Sequence, residues 1–555
     1  MRILFLLLAA SAASAGETMI HNAAGYTPTD NGLREFTALV IADDGRIVAT
    51  GDDELLQRYP QAQRVDARGK TVLPGLTDAH AHMYGQGFLQ VSLDLSGSTS
   101  VAEAVSRIAA YATNNPHSDW IQGRGWNQVL WPDQEFPQAR DIDAVVSDRP
   151  VYLRRVDGHA SWLNSAAMKI AGIDDDTADP VGGKIIRDAQ GKATGVLIDK
   201  ARNLVKAHLP PPTKNDYRQA FRKAFEQLVA LGITGVHDAG VDITQAEVYM
   251  AMADDAELQL RIYAMLANAG ANLDAIGEPI IAYGDDRLDI RSVKIYVDGA
   301  LGSRGAAMLE PYSDDPENHG LAFLSTDQLA ADVSKANRMG FQVGVHAIGD
   351  DGNRRVLDAL EKVQQGKPSK MRNRVEHAQI IALEDISRFA ELGVIAAMQP
   401  THATSDMNMA KDRIGSERLR GGYAWRKLLD TGAVIASGSD FPVELPNPFY
   451  GLHAAVTRQD RNNLPSGGWY ADEAMTRAEA LRSFTLDAAF AAHQEDRLGS
   501  LEPGKWADFI LIDRDYFKIP ADQIDDIRVL ETWVAGKRVY HVNNRHGSQQ
   551  TGGDQ

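Results

Sequence analysis

The chain has 555 residues, enough for a large buried core and more than one domain. Hydrophobic residues make up 44% and charged residues 24%, a balance typical of soluble globular proteins. The formal net charge of −18 argues against nucleic acid or an anionic membrane surface as a partner. The absence of cysteine excludes disulfides, thiolate zinc sites, cysteine nucleophiles and a lipidated cysteine.

The N-terminus has the three regions of a secretory signal peptide. Met1-Arg2 supplies a positive start, residues 3–10 are apolar, and Ala13-Ser14-Ala15 is a small-residue cleavage site. The apolar run is too short to span a bilayer, and no second long apolar run follows it. An ordinary N-terminal strand or helix is the weaker alternative. We expect cleavage before Gly16, location in a bacterial periplasm or outside the cell, and no stable membrane insertion.

Both ends of the mature chain read as short strands joined by turns. Residues 36–42 and 43–49 predict a hairpin around Asp-Gly, and residues 504–513 and 529–540 repeat this strand-and-turn pattern. The two β-rich ends predict one small β domain assembled from both termini. The last residues, 543–555, are polar and predict a disordered tail.

The centre alternates strand-like apolar runs with helical stretches such as 217–231 and 326–339. Eight candidate core strands lie at 71–77, 233–237, 260–266, 293–297, 341–345, 374–376, 394–398 and 434–437. This alternation predicts an α/β fold, a TIM (β/α)8 barrel with its chemistry at the C-terminal ends of the strands. The long gap between the first two strands carries strands of its own, which predicts an inserted subdomain rather than a loop.

The first candidate strand ends in His80-Ala81-His82. Two histidines at i and i+2 on an extended segment point to the same side, which suits a metal held at a strand end. Later strand ends supply four more candidate residues, namely Lys294, His346, His377 and Asp440. Each has a structural alternative: a hydrogen-bonded histidine, an aspartate in a turn or helix cap, a lysine paired with a buried carboxylate. Their occurrence in order at successive strand ends favours one shared site.

Imidazole and carboxylate ligands without thiolates suit zinc, while manganese, iron and nickel are also compatible. Lys294 is a poor ligand while protonated, but burial near two cations would lower its pKa. The neutral amine could then react with carbon dioxide to give a carbamate that bridges two metals. The alternative is a lysine that contacts substrate beside a single metal.

These residues resemble the signature of the amidohydrolase superfamily. The nearest branch is amidohydrolase family 3, the YtcJ-like group that includes N-substituted formamide deformylases. The resemblance covers nearly the whole mature chain, and its most specific stretches are 73–82, 125–127, 155–165 and 293–306. It implies that His80, His82 and Asp440 bind a first metal and that His346 and His377 bind a second. It also implies that Lys294 is the lysine that can be carboxylated and bridge the pair of ions. Members of the superfamily bind one or two ions, so the resemblance leaves their number open.

The resemblance also implies that the two terminal segments form a β-sandwich. The predicted segments are a signal peptide at 1–15, the N-terminal portion of the β-sandwich at 16–72, barrel strand 1 at 73–97, an inserted subdomain at 98–212, the rest of the metal-dependent hydrolase barrel at 213–495, the C-terminal portion of the β-sandwich at 496–542 and a disordered tail at 543–555.

The expected activity is hydrolysis of an amide-like, non-peptide C–N bond in a small-molecule substrate. A divalent metal lowers the pKa of a bound water and polarises the carbonyl. Asp440 then accepts the water's proton and returns it to the leaving nitrogen, with Lys294 as the second catalytic candidate. A metal-dependent esterase or lactonase is the main alternative. A catalytically silent periplasmic binding protein is a third, against which the complete ligand set argues.

The insertion is expected to select the substrate, through Trp126, Asp157, His159 and Trp162, with Arg304 facing them from the barrel. Packing of the tryptophans and a turn at Asp157 are the structural alternatives. For His237 and His402 the favoured interpretation is that they are structural or support the ligands, and the alternative is that they also face the pocket. The sequence leaves a homodimer open.

Overall fold

The computed structural model describes residues 16–155, 160–180 and 183–542. The predicted signal peptide and the predicted disordered tail therefore lie outside the described residues. The chain divides into two compact units, one comprising Met1–His82 and Phe225–Gln555, the other Met83–Ala224. No helix in the described ranges is both long and apolar enough to cross a membrane.

A barrel of parallel strands forms the centre of the first unit. In the described part of the chain, eight strands follow one another in hydrogen-bonded order, each pairing in parallel with the next. They are β1 Leu76–Ala81, β2 Ile233–Val241, β3 Arg261–Ala267, β4 Leu288–Tyr296, β5 Gln342–Ala347, β6 Arg374–His377, β7 Ile395–Met398 and β8 Ile435–Ser437. Their side chains are buried almost throughout, as expected where helices cover one face of a parallel sheet and side chains fill the other.

The barrel closes between β8 and β1 just beyond the strand ends. The amide of Asp440 donates to the carbonyl of His80 at 2.8 Å, and the amide of His82 donates to the carbonyl of Phe441 at 2.8 Å. The carboxylate of Asp78 accepts from the amide and hydroxyl of Ser439 at 3.0 and 2.6 Å. The closing contact therefore sets the His80–His82 pair directly against Asp440.

The expected first strand, 71–77, is wrong in its bounds. The chain changes sheets at Gly75: Thr71–Pro74 pairs with Phe509–Ile512 in a terminal sheet, and the barrel strand starts at Leu76. A Cβ at position 75 would lie 2.2 Å from Thr234 Oγ1, so only glycine fits this crossing. The other seven predicted strands coincide with barrel strands to within a few residues at each end.

Helices of six residues or more connect the strands along the chain. They are Lys214–Ala230, Ile243–Asp254, Ala271–Ile276, Thr326–Arg338, Asp350–Gln364, Ile386–Leu392, Pro400–Asp406, Ala410–Arg418, Trp425–Asp430, Pro448–Thr457, Arg477–Ser483 and Leu486–Ala491. The helix Thr326–Arg338 shows why they start where they do: Ser325 and Gln328 form a reciprocal capping box. The helices expected at 217–231 and 326–339 are both present.

The chain termini form a β-sandwich in the same unit, as the resemblance implies. One sheet has the order Ile47–Gly51, Ala38–Ile41, Thr18–His21, Gln63–Asp66. The other has the order Lys537–His541, Val529–Val534, Phe509–Ile512, Thr71–Pro74, Ala24–Thr29, Gly32–Phe36. Buried Ile20, Leu39, Val72 and Phe509 share one core, in which the rings of Phe509 and Trp533 stack at 5.2 Å.

The second unit, Met83–Ala224, has its own sheet and core. Its sheet has the order Gly183–Arg187, Ala193–Asp199, Ala160–Leu163, Val151–Arg155, Ile121–Trp126, Leu93–Asp94. Its helices of five residues or more include Met83–Val91, Val101–Asn114, Ala139–Asp143 and Ser165–Ile170. The rings of Trp126, Trp131 and Trp162 lie 6.2–6.4 Å apart, edge to face or tilted, at the centre of its apolar cluster. The unit thus contains the strands expected in the insertion.

Candidate metal centre

The two histidines at the end of β1 are each anchored through one ring nitrogen. His82 Nδ1 donates to the carbonyl of Ala239 at 2.8 Å, and His80 Nδ1 lies 2.5 Å from the carboxylate of Glu376. The other nitrogen of each ring faces Asp440: His82 Nε2 is 3.1 Å and His80 Nε2 3.8 Å from Asp440 Oδ1. Ligating histidines in proteins are held in this way, with one nitrogen hydrogen-bonded and the other directed at the metal.

A second group of side chains gathers on the other side of Asp440. His377 Nδ1 is 2.7 Å from Gln399 Oε1, and the His402 ring stacks on that of His377 at 5.9 Å. His402 Nε2 lies 3.7 Å from Asp440 Oδ2. The ring of His346 is 4.5 Å from that of His377, while its Nε2 is 3.5 Å from Asp298 Oδ1. The structure thus brings together all four predicted ligand histidines and Asp440.

The backbone is strained at two of these positions. His377 has φ of 76° and Asp440 has φ of 60°, in the left-handed region that residues with a side chain rarely adopt. Such conformations cost on the order of 1–3 kcal/mol each and persist where the surroundings hold them. For Asp440 the surroundings include the hydrogen bond from its amide to His80, which aims the carboxylate at the histidines.

Lys294 lies on β4 and its side chain reaches the same cluster. Its side chain is buried, with Nζ 3.0 Å from His80 Nε2 and 5.0 Å from the centre of the Tyr296 ring. Burial lowers the pKa of Lys294 to about 8, although the nearby carboxylates of Glu376 and Asp440 favour its charged form. The amine therefore loses its proton more readily than that of an exposed lysine.

A buried ion pair supports His80 from inside the barrel. Arg374 and Glu376, two residues apart on β6, are both fully buried, with Arg374 Nε 2.8 Å from Glu376 Oε1. Arg374 also donates to the carbonyl of Ala79 at 2.7 Å and lies 2.8 Å from His237 Nδ1. His80 is thus the outermost member of a chain of buried polar contacts that begins at His237.

The protonation states of His80, His346 and Asp440 suit metal binding. Burial lowers the pKa of His80 to about 4 and that of His346 to about 3, so both imidazoles are neutral at pH 7. Burial alone would raise the pKa of Asp440, but the adjacent histidines, His82 foremost, hold it well below the ordinary value. The carboxylate is therefore ionised at neutral pH.

Unpaired polar atoms show that these residues fit a cation. His346 Nε2, His402 Nε2 and Asp440 Oδ1 are buried and have no hydrogen-bond partner among the described residues. Two sets of potential ligand atoms occur among the described residues, and within each set the atoms lie within 4.8 Å of one another. One set belongs to His80, His82 and Asp440, the other to His377, His402 and Asp440. Nitrogen and oxygen donors in groups of three are what zinc and similar divalent ions bind.

Comparisons with known proteins identify the family. The profile described as "Amidohydrolase family" (Amidohydro_3) matches residues 63–540. The chain belongs to the amidohydrolase family. It is 32% identical to YtcJ of Bacillus subtilis (strain 168), covering 93% of this chain and 98% of that protein. It is 29% identical to an N-substituted formamide deformylase of Arthrobacter pascens, covering 90% of this chain and 94% of that protein. A crystal structure of an uncharacterized metal-dependent hydrolase from Pyrococcus furiosus superposes with a TM-score of 0.77 at 27% identity. The match covers 90% of this chain and 100% of that protein.

Two of the five expected substrate contacts of this amidohydrolase, Trp126 and Trp162, need correction. Trp126 and Trp162 are fully buried in the core of the second unit, and their indole N–H groups donate to the carbonyls of Leu153 and Gln138. They therefore pack rather than line a pocket. Arg304 makes a two-pronged ion pair with Asp314 at 2.9 and 3.0 Å. The two remaining candidates, at positions 157 and 159, lie outside the described residues.

Sequence reasoning missed several residues in the site of this amidohydrolase. Glu376 and Asp298 contact ligand histidines, and Arg374 holds Glu376 in place. A signal for two of them was present: Arg374 and Glu376 stand on either side of Val375 on a short barrel strand, so their side chains share one face of it. Charged residues at inward positions of a barrel strand are costly unless they pair.

Proposed function

We propose that this chain is an exported, metal-dependent amidohydrolase that hydrolyses an amide-like, non-peptide C–N bond. The observation that carries this proposal is the gathering of four histidines, His80, His82, His377 and His402, around the ionised carboxylate of Asp440. Its place at the C-terminal ends of barrel strands is where barrel enzymes carry out their chemistry. The relative named N-substituted formamide deformylase supports the choice of a C–N bond.

The residues that would hold the metal are those of the two groups around Asp440, with His346 and Lys294 beside them. Zinc is the first choice because the donors are imidazole and carboxylate without thiolate. When bound, such a metal lowers the pKa of water toward 7 and polarises the substrate carbonyl. Lys294, partly neutral because it is buried, is able to form a carbamate with carbon dioxide, releasing one proton.

Asp440 would carry the proton transfers. Its carboxylate is buried and ionised, so one of its oxygens would accept a proton from the attacking water. The same oxygen then returns that proton to the leaving nitrogen, so that one water and one amide give a carboxylic acid and an amine. His82 and His402 flank the two carboxylate oxygens and fix their orientation.

The test compares metal-loaded and chelator-treated protein on N-substituted formamides, other amides and matching esters. We expect amide turnover by the loaded protein and loss of turnover after chelation. Asp440→Asn should lower kcat about 10²–10⁴-fold while most of the bound metal remains, because general acid–base catalysis has this magnitude. Asp526→Asn, a change of an exposed carboxylate on the surface, is the matched control.

Three outcomes would count against the proposal. Near-normal turnover by Asp440→Asn would remove the assigned proton acceptor. Turnover of esters alone would favour an esterase or lactonase. Binding of amides without turnover, unchanged by chelation, would favour a binding protein.

Export is proposed from the leader-like residues 1–15, with their positive start, apolar run and small-residue cleavage site. We expect the protein in a periplasmic or culture fraction of a bacterial host, with a mature N-terminus at Gly16. Mass spectrometry of the intact protein from each fraction measures this, and an uncleaved chain in the cytoplasmic fraction would refute it.

A further inference from the structure

The side chain of Tyr296 lies beside the metal centre, at the end of β4. Tyr296 is the last residue of that strand and follows Lys294 by two positions, so both side chains leave the same face of the strand. The centre of its ring is 5.2 Å from that of the His346 ring and 5.0 Å from Lys294 Nζ. A Cβ added at Gly240, near the end of β2, would lie 3.9 Å from the Tyr296 hydroxyl. The side chain therefore extends across the mouth of the barrel from His346 on β5 toward β2.

Much of Tyr296 is exposed, although the residues beneath it are buried. It is 44% exposed, whereas His80 is 0% and Lys294 1% exposed. A single exposed apolar side chain is common on protein surfaces and needs no explanation. The position of this one is different, because its exposed surface borders a closed cluster of polar side chains. Binding sites for small molecules combine apolar and aromatic walls with a few such polar groups.

The loop after β4 brings a second exposed aromatic residue to the same place. The amide of Phe323 donates to the carbonyl of Val297 at 2.8 Å, which holds Phe323 beside the residue that follows Tyr296. Phe323 is 52% exposed. Tyr296 and Phe323 therefore form an exposed aromatic edge on the β4 side of the metal centre.

The proposed role of Asp440 determines which part of a substrate meets this aromatic edge. Asp440 follows β8, which lies opposite β4 in the order of the eight barrel strands. Because Asp440 returns a proton to the leaving nitrogen, that nitrogen lies on the β8 side of the centre. The acyl group of the amide then extends to the opposite side, toward β4.

We infer that the acyl group of the substrate carries an aromatic ring, which stacks on Tyr296 and contacts Phe323. The inference rests on the proposed function, since it takes the direction of the amide from the role of Asp440. The substrate class is then the amides of arylacetic and similar aromatic acids. Hydrolysis of such an amide consumes one water and gives the aromatic carboxylic acid and the amine. Tyr296 is the residue that determines this specificity, because aromatic rings gain from stacking beyond the burial of their surface.

The first experiment compares two isomeric amides as substrates of the zinc-loaded mature chain. N-methyl-2-phenylacetamide has its ring on the acyl side, whereas N-benzylacetamide has the same ring on the amine side. We expect kcat/KM to be at least about tenfold higher for the first, because even one methylene in an apolar pocket changes it roughly 10–200-fold. Tyr296→Ala should remove this preference, mainly through KM, since stacking is the same in the bound substrate and in the transition state. Tyr296→Phe keeps the ring and should retain the preference.

Ile281→Ala is the matched control. Ile281 is 47% exposed, and it lies near the other end of β4, where the amide of Ala282 donates to Asp289 Oδ1 at 2.6 Å. This variant should keep the wild-type kcat/KM for both amides. Circular dichroism and thermal unfolding establish that each variant is folded. A wild-type preference for N-benzylacetamide would overturn the inference, as would an equal loss of kcat/KM for both isomers in folded Tyr296→Ala.

The second experiment measures binding without turnover. Calorimetry of the zinc-loaded protein should show that phenylacetate binds at least about tenfold more tightly than acetate, and that Tyr296→Ala removes the difference. Equal affinities of the wild-type protein for the two acids would overturn the inference. A protein that binds phenylacetate through Tyr296 but hydrolyses no amide would refute the proposed function and leave the aromatic contact standing. A protein that hydrolyses amides without regard to a ring on the acyl side would overturn the inference alone.

Discussion

Replacing Glu376 with glutamine should damage both the metal centre and the folded state. The substitution keeps the size of the side chain but removes the charge that faces His80 Nδ1 at 2.5 Å and Arg374 Nε at 2.8 Å. Both Glu376 and Arg374 have no exposed surface, so solvent does not screen their interaction. The two effects can be estimated separately.

For the metal, Glu376 is the partner that directs His80 Nε2 toward the cluster. Loss of such a partner weakens metal binding about 10–100-fold, or roughly 1.4–2.8 kcal/mol. For the fold, the substitution leaves the buried guanidinium of Arg374 without its counter-charge. Breaking a buried ion pair from one side costs about 3–5 kcal/mol.

Zinc calorimetry on the stripped protein and urea unfolding of the metal-free protein measure the two quantities. The control is Glu495→Gln, which breaks the ion pair with Arg372 in a site where both side chains are about a quarter exposed. It should cost less than about 1 kcal/mol of stability and leave zinc affinity unchanged.

The double variant Arg374→Met, Glu376→Gln separates the two roles of the carboxylate. Stability should recover because no unpaired charge remains, while zinc affinity should stay low because His80 still lacks its carboxylate. The reasoning is refuted if folded Glu376→Gln binds zinc within about threefold of wild type, or if it is destabilised no more than the control.

Two further predictions concern Gly438, where the barrel closes, and the buried ion pair between Asp508 and Arg261. In Gly438→Ala the added methyl group would lie 2.5 Å from Asp78 Oδ1 and 2.5 Å from the amide nitrogen of His80. We expect overpacking to lower the free energy of unfolding by about 1–3 kcal/mol and to weaken zinc binding. Wild-type stability together with wild-type zinc affinity would contradict this prediction. In Asp508→Asn the buried ion pair with Arg261, at 2.6 and 2.9 Å, loses its charge. The free energy of unfolding should fall by about 3–5 kcal/mol, while zinc stoichiometry stays at the wild-type value. A loss of bound metal would contradict this prediction and show that the ion pair acts on the metal site.

The local pattern of residues was sufficient to predict the barrel and to indicate which candidate ligands lie together. Parallel strands covered on both faces read as apolar runs, and the residues that end such runs, among them His80, His346 and His377, meet at one end of a barrel whatever their separation in the chain. Seven strands were therefore predicted near their observed bounds. The first was misplaced because one apolar run, 71–81, contributes to two sheets that separate at Gly75.

The hydrogen-bond partners of the ligands depend on contacts between distant segments. Glu376 meets His80 across 296 positions of sequence, and Ala239 meets His82 across 157. Chain folding also decided that Trp126 is a core residue, because the pairing of its strand with its neighbours determines which face is covered. A tryptophan has the same apolar surface in a pocket as in a core, so its sequence context does not distinguish the two.

The sequence by itself determined the kind of chemistry, since donor types and their order along the strands follow from residue identity and strand periodicity. The tertiary structure decided how the donors are grouped. Asp440 divides them into two sets, one with His80 and His82 and one with His377 and His402, because the closure between β8 and β1 places its carboxylate between them. That closure is formed by backbone hydrogen bonds and by the contact between Asp78 and Ser439, which join segments that only the folded path of the chain brings together.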